Sequence, residues 1–207
     1  MLSVERTIAR SSVASRHVAL IRGINVGRAK RVAMADLRGL AAELGYDEVR
    51  TLLNSGNLVF SAGRDKPSRI GQRIELAMAE RLGVSARVTV LTAAAIGTVV
   101  RENALDKVAS DPTRLVVVFC GDTARFKELE PLARQDWSPE AIMLGSLAAY
   151  LWCPAGILVS QLHEAVGRTL GESATTRNSA TVARIHAALQ LESGRTAKKA
   201  GRRPTKG

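Results

Sequence analysis

Residues 17–61 read HVALIRGINVGRAKRVAMADLRGLAAELGYDEVRTLLNSGNLVFS, and the order of patterns in this stretch decides the fold. Residues 17–22 form a short β-branched and aliphatic run closed by Gly23, the mark of a buried strand. A basic loop follows over residues 23–31 (GINVGRAKR). Met34, Leu37, Leu40, Ala41 and Leu44 then recur at helical spacing until Gly45 stops them. Residues 49–53 predict a second strand, Asn54, Ser55, Gly56 and Asn57 a tight turn, and residues 58–61 the returning strand.

Downstream, Pro67 opens a helix with Ile70, Ile74, Ala77, Met78 and Leu82 on one face, ended by Gly83. Residues 84–91 alternate apolar and polar positions and predict a half-exposed strand. Strand-helix-strand-strand-helix-strand is the split arrangement called ferredoxin-like. A connecting helix is expected over about residues 92–103, and the pattern then begins again. Residues 115–120 (LVVVFC) predict a buried strand, 123–134 a helix, and 141–144 and 148–153 two strands about a Gly145-Ser146 turn. Val159, Leu162, Val166 and Leu170 mark a further helix, residues 173–176 a short strand, and Val182, Ile185 and Leu189 one face of a last helix.

The expectation is an α+β protein of two ferredoxin-like (βαββαβ) halves in tandem, with a helical C-terminus and a disordered basic tail. Its divisions are a flexible segment 1–15, a first half 16–92, a connecting helix and loop 93–113, a second half 114–191 and a tail 192–207.

The chain has 207 residues, 46% hydrophobic and 24% charged, enough to bury a core. No apolar run approaches the ~20 residues of a membrane-spanning helix, so no membrane partner is expected. The net charge is +11, but residues 193–207 carry six Lys and Arg with no acid. The first 16 residues add +2, which leaves only +3 for residues 17–192. The basicity is terminal. Either the tail is a solvated end, or it gives weak, non-specific contact with nucleic acid by counterion release. The first 15 residues lack the continuous apolar run of a secretory signal.

Catalytic patterns are absent. Gly23, Gly27 and Lys30 do not have the spacing of a phosphate-binding loop, and no G-x-S-x-G elbow occurs. Cys120 and Cys153 cannot make a four-thiolate zinc site, and two cysteines fit a reducing cytoplasm. His17, His163 and His186 share no metal-ligand spacing, and the last two read as surface or boundary residues of helices. No metal and no cofactor is expected. A sheet that stacks RNA bases needs aromatics on its central strands. Residues 17–22 have none and 58–61 only Phe60, so no sequence-specific RNA binding by the folded core is expected.

Topology places one site. In the ferredoxin-like order 4-1-3-2 the first and second strands run the same way, so the loop at 23–31 and the turn at 54–57 leave at one edge. Arg22, Arg28, Lys30 and Arg31 supply cations with no acid, and Asn54, Ser55 and Asn57 supply amides and a hydroxyl. Such a set suits a phosphate or carboxylate, although a solvated loop and a satisfied hairpin turn would look the same. Further on, Asn178 or Ser179 reads as the N-cap of the last helix, with Arg177 beside that helix N-terminus as an anion holder.

Residues 18–34 (VALIRGINVGRAKRVAM), Asp36, Leu37 and Arg38, Leu44, Gly45 and Tyr46, and residues 49–60 (VRTLLNSGNLVF) closely resemble the bacterial family catalogued as domain of unknown function 1697. That family ends in a Thr-Arg-Asn-Trp-Asn-Thr-Val element, matched here by Thr176, Arg177, Asn178, Thr181 and Val182. Asn54 stands where the family has Gln, Ser179 where it has Trp and Ala180 where it has Asn. The resemblance spans roughly residues 16–191, implies an α/β protein of ferredoxin-like halves, and brings no activity with it. It also implies that the Thr-Arg-Asn element joins the loop and turn. The candidate ligand-binding set is then Arg22, Asn25, Lys30, Asn54, Ser55, Asn57, Arg177 and Asn178. The expected function is binding of a small anionic or phosphorylated ligand. The alternatives are an enzyme acting on such a ligand, with Arg22, Lys30 and Arg177 stabilising negative charge, or a nucleic-acid-associated protein using its tail.

Overall fold

The computed structural model describes residues 15–25 and 31–191, and the expected flexible start and basic tail lie outside that span. The chain runs β1 (Ser15–Ile21), α1 (Met34–Glu43), β2 (Asp47–Leu52), β3 (Asn57–Ala62), α2 (Pro67–Leu82), β4 (Val88–Thr92) and α3 (Ala93–Glu102). It continues with β5 (Leu115–Cys120), α4 (Glu130–Ala133), β6 (Ala141–Leu144), β7 (Ala149–Trp152), α5 (Gln161–Leu170), β8 (Ala174–Asn178) and α6 (Ser179–Leu191). The strands form two four-stranded antiparallel sheets of the same order, β2-β3-β1-β4 and β6-β7-β5-β8.

Local chemistry sets the helix ends. Pro67 needs no N–H partner in the first turn of α2 and has its φ already set for a helix. Gly83 closes α2 in the left-handed region (φ +64), which lets Val84 N–H donate to Met78 O at 3.2 Å. The Thr92 side chain caps α3 by accepting from Ala95 N at 3.1 Å.

Three apolar clusters stack the layers. Ala19, Ile21, Leu58 and Phe60 on one face of the first sheet meet α1 through Leu37 and Leu40 and α2 through Ile70, Ile74 and Met78. The opposite face presents Val18, Leu20 and Val59 to Ile96 and Val99 of α3 and Val182, Ile185 and Leu189 of α6. That cluster also contains Val117, Phe119 and Tyr150 of the second sheet, so α3 and α6 are shared. Val116, Val118 and Leu151 turn the other way, onto Leu162, Val166 and Leu170 of α5. Each sheet therefore has helices against both faces. No helix of the described residues is long and apolar enough to cross a membrane.

Four local expectations need correction. The strand expected over 84–91 starts only at Val88, because its partner β1 ends at Ile21, opposite Val88. The helix expected over 123–134 is a 3-10 turn over Thr123–Leu129 followed by the single α-turn of α4. Its α-pattern begins where Pro131, lacking an N–H, is tolerated in the first turn. Val159 lies in a 3-10 turn with 68% of its surface exposed, and α5 begins only at Gln161, capped by the Ser160 side chain accepting from His163 N. The strand expected over 173–176 runs instead over Ala174–Asn178, so Arg177, expected beside the N-terminus of the last helix, is also a β8 residue in register with Val117.

Candidate functional site

The end of β1 is tied to the β2–β3 turn by Ile21 N donating to Gly56 O at 2.8 Å. Gly56 takes φ +72, a conformation that costs glycine nothing. Asn25, itself at φ +58, binds the loop together. Its amide donates to Val32 O and Asn54 O, both at 3.0 Å, and its carbonyl accepts from Val32 N at 2.9 Å. Loop and turn thus meet at one edge. Asn57 begins β3 fully buried, its amide donating to Leu52 O at 2.9 Å and to Ser55 Oγ at 3.0 Å.

Onto this edge comes Arg177. Its Nε donates to Asn57 Oδ1 at 2.5 Å, and Nη2 donates to Ile21 O and Ser55 O, both at 2.9 Å. Nη1 donates to Thr175 Oγ1 at 3.1 Å and to Thr176 O at 2.7 Å. All five N–H groups of the guanidinium are therefore used. Every acceptor is neutral. Loss of water pushes Arg177 down to about 10, still charged at neutral pH, and no carboxylate of the described residues forms an ion pair with it. Arg22 makes the reciprocal crossing, donating to Ala174 O at the start of β8. Its other N–H groups have no partner among the described residues.

Between these crossings lies a cavity of about 570 Å³, within the range of small-molecule sites. Arg22, Arg177, Thr176 and Asn178 give it polarity, while Val116, Val118 and Val166 form an apolar wall. No carboxylate lines it. A second groove of about 720 Å³ shares Arg22 but sets Glu75 and Glu172 against Arg22 and Arg87, so its lining has no net positive charge.

The expected residues divide. Arg22, Ser55, Arg177 and Asn178 border the cavity, and Asn57 holds the Arg177 guanidinium. Asn25 and Asn54 stand outside the cavity lining and meet each other in the loop clasp. Lys30 lies outside the described residues. Asn178 caps α6 as well, its Oδ1 accepting from Thr181 N at 2.9 Å. Sequence reasoning missed His163, Thr113 and Thr181, all of which line the cavity. No spacing in the sequence connects those three. The thiols of Cys120 and Cys153 are buried, and burial pushes Cys153 up, away from the reactive thiolate. Among the described residues no group of three or more His, Cys, Asp or Glu could hold a metal ion.

A family model described as a protein of unknown function (DUF1697) matches residues 14–150, which stops short of α5 and β8. Among solved structures, the chain is similar to "conserved bacterial protein SP0830 from Streptococcus pneumoniae". The TM-score is 0.69 at 23% identity, covering 85% of this chain and 99% of that one. None of the curated proteins matches the chain.

Proposed function

The chain belongs to the DUF1697 family of proteins of unknown function, and from that premise we propose that it binds a small anionic ligand in the cavity bordered by β8, α5 and the segment after β1. One observation carries the reading. Arg177 is a desolvated cation whose hydrogen bonds are complete but whose charge is not neutralised, and it lines a cavity without a carboxylate. Burying an unpaired charge is expensive, and carbonyl dipoles offset the cost only in part. An anion about 5 Å away gains roughly 3 kcal/mol at an effective dielectric near 20.

Arg177 contributes charge, while Arg22, Ser55 and Asn178 make the direct contacts. Asn57 orients Arg177, Asn25 and Asn54 shape the wall, and Lys30 is a further cation on the same loop. Each sheet with its helices reads as a ferredoxin-like half, 16–92 and 114–191 joined through 93–113, and the matching strand orders support this. Two buried cysteines suit a reducing cytoplasm. An enzyme acting on the same anion is the second reading, favoured by the imidazole of His163 in the cavity.

The test is a thermal-shift screen of inorganic anions, nucleotides, sugar phosphates and carboxylates. A ligand at 100 times its Kd stabilises the fold by about 2.7 kcal/mol. Arg22→Gln is expected to lose most of that shift, and Arg134→Gln, on the exposed end of α4, none of it. If no anion shifts the wild type, or Arg22→Gln shifts equally, the reading fails. Turnover of a hit makes the protein an enzyme.

A further inference from the structure

The three histidines differ in what surrounds their rings. His17 is buried, with Nδ1 2.9 Å from Ser15 O and Nε2 3.3 Å from Ser15 Oγ. Nε2 of His186 lies 3.4 Å from the Gln190 amide nitrogen. The His163 ring has no hydrogen-bond partner among the described residues, and it lines the cavity that Arg22 and Arg177 border. Its place is set by the start of α5, where Ser160 Oγ accepts from His163 N at 2.9 Å.

Every other residue of the cavity lining keeps one charge throughout the neutral pH range, so His163 is the one group there that can answer an anion by taking a proton. In the empty cavity loss of water holds its pKa below the ordinary 6.5, and the ring is neutral at physiological pH. Glu140 pulls the other way, but its carboxylate is engaged by Leu162 N at 3.0 Å. Glu164, next along α5, pairs with Arg168. The Cys153 thiol of the adjoining β7 end is pushed up and stays neutral. From the first sheet and β8, the groups facing the cavity are the cations Arg22 and Arg177.

We propose that occupancy of this cavity is proton-linked: a dianionic headgroup, with the charge of a phosphate monoester, draws a proton onto His163 as it binds beside Arg22 and Arg177. The inference rests on the anion-binding reading and adds its regulation and its preferred charge. A desolvated Arg177 balances one negative charge, and an imidazolium in the same lining balances the second. By linkage, whatever raises the proton affinity of His163 on binding is matched by tighter binding to the protonated form. The sign follows. Affinity is highest below the His163 pKa of the empty site, falls between that value and the higher pKa of the occupied site, and levels off above it.

The probe is inorganic sulfate, a dianion throughout pH 5–8, titrated calorimetrically into the full chain at constant ionic strength. From pH 5.5 to 7.5 the Kd of the wild type is expected to rise about threefold or more, the part of a one-unit shift that falls inside this window. His163→Gln is expected to bind with one Kd at all pH values, close to that of the wild type at pH 7.5. The proton resonances of the wild-type His163 ring give a second measurement that needs no folded variant, and saturating sulfate should raise its midpoint by about one unit or more. Sulfate binding without pH dependence, a midpoint that does not move, or pH dependence that survives in His163→Gln overturns the proton link and leaves the anion site standing. No sulfate binding at any pH, or unchanged binding by Arg22→Gln, overturns both.

Discussion

The two sheets have one strand order but hold their hairpin turns in opposite ways. The β2–β3 turn of the first sheet is gripped by a cation from β8, Arg177, through Ser55 O and Asn57 Oδ1. The β6–β7 turn of the second sheet is gripped by an anion from α3, Glu102, which accepts from Ser146 N at 2.9 Å and Ser146 Oγ at 2.7 Å. Glu102 keeps its water, and its pKa is lowered chiefly by the Ser146 hydroxyl and amide. Arg177 has lost its water, and desolvation alone moves it. The surface grip is complete as it stands. The internal one leaves a positive charge facing a cavity, which is why only the first of these turns points to a ligand.

The largest expected effect comes from breaking the internal grip. Arg177→Gln leaves Ile21 O, Ser55 O and Asn57 Oδ1 without the donor that now serves them, while Gly56 O keeps its bond from Ile21 N. Stranded buried acceptors cost about 1–3 kcal/mol each, and one or two can turn to water, so we expect a loss of about 3 kcal/mol in chemical denaturation. Arg177→Lys should recover little, because three donors on an ammonium cannot copy a five-donor fork. A loss below about 1 kcal/mol in Arg177→Gln would mean that the grip is ornamental and the contrast between the turns empty.

A smaller effect tests the turns themselves through their glycines. A Cβ on Gly56 would stand 2.9 Å from Ile24 Cδ1 and 3.0 Å from Ile21 Cβ, at a φ of +72. Gly56→Ala is therefore both strained and crowded by core side chains, and about 2 kcal/mol is expected. A Cβ on Gly145 would meet Glu102 Oε2 at 2.8 Å and Tyr150 Cε2 at 2.9 Å without a positive φ. The buried Tyr150 ring and Ala148 O at 3.1 Å crowd that position too, but it carries no left-handed backbone strain, so Gly145→Ala should cost less than Gly56→Ala. Equal losses in parallel urea titrations would remove the distinction between a turn that needs a left-handed glycine and one that does not.

Much of this architecture was legible because it is local. The LVVVFC run of β5 and the aliphatic run of β1 carry their burial in composition, and the Asn-Ser-Gly-Asn turn announces its own geometry. The meeting of loop and turn followed from strand direction, and Asn25 reaching Asn54 O is its physical form. The grips were not legible. Arg177 and Asn57 are 120 residues apart, and Glu102 and Ser146 are 44 apart, so no periodicity links either pair. His163 falls within α5, a helix whose buried stripe runs through Leu162, Ala165 and Val166. It lines the cavity together with residues of β8 and the end of β1, a tertiary fact with no trace in the helix's own sequence. The extent of β8 was misread for a related reason. Arg177 and Asn178 fall beyond the expected strand until Val117 and Val116 supply the partners that extend it.

The smallest expected effect lies at Glu102, where the surface grip can be released without touching the core. Glu102→Gln keeps an acceptor for one of the two Ser146 donors and loses the charge that strengthens both bonds. With Glu102 still in contact with water, the loss at neutral pH should stay under about 1 kcal/mol. Its pH dependence carries more information than its size. The folded-state pKa of Glu102 lies below its ordinary 4.5, so the contribution is fully present above that value and fades as pH falls through the lowered one. The difference between wild type and Glu102→Gln should therefore be constant well above pH 4.5 and shrink as pH falls below it. Added sulfate should leave that difference unchanged, because Glu102 does not line the cavity. A difference that grows at low pH, or one that sulfate erases, would mean that the two turns are coupled and that the grips act as one device.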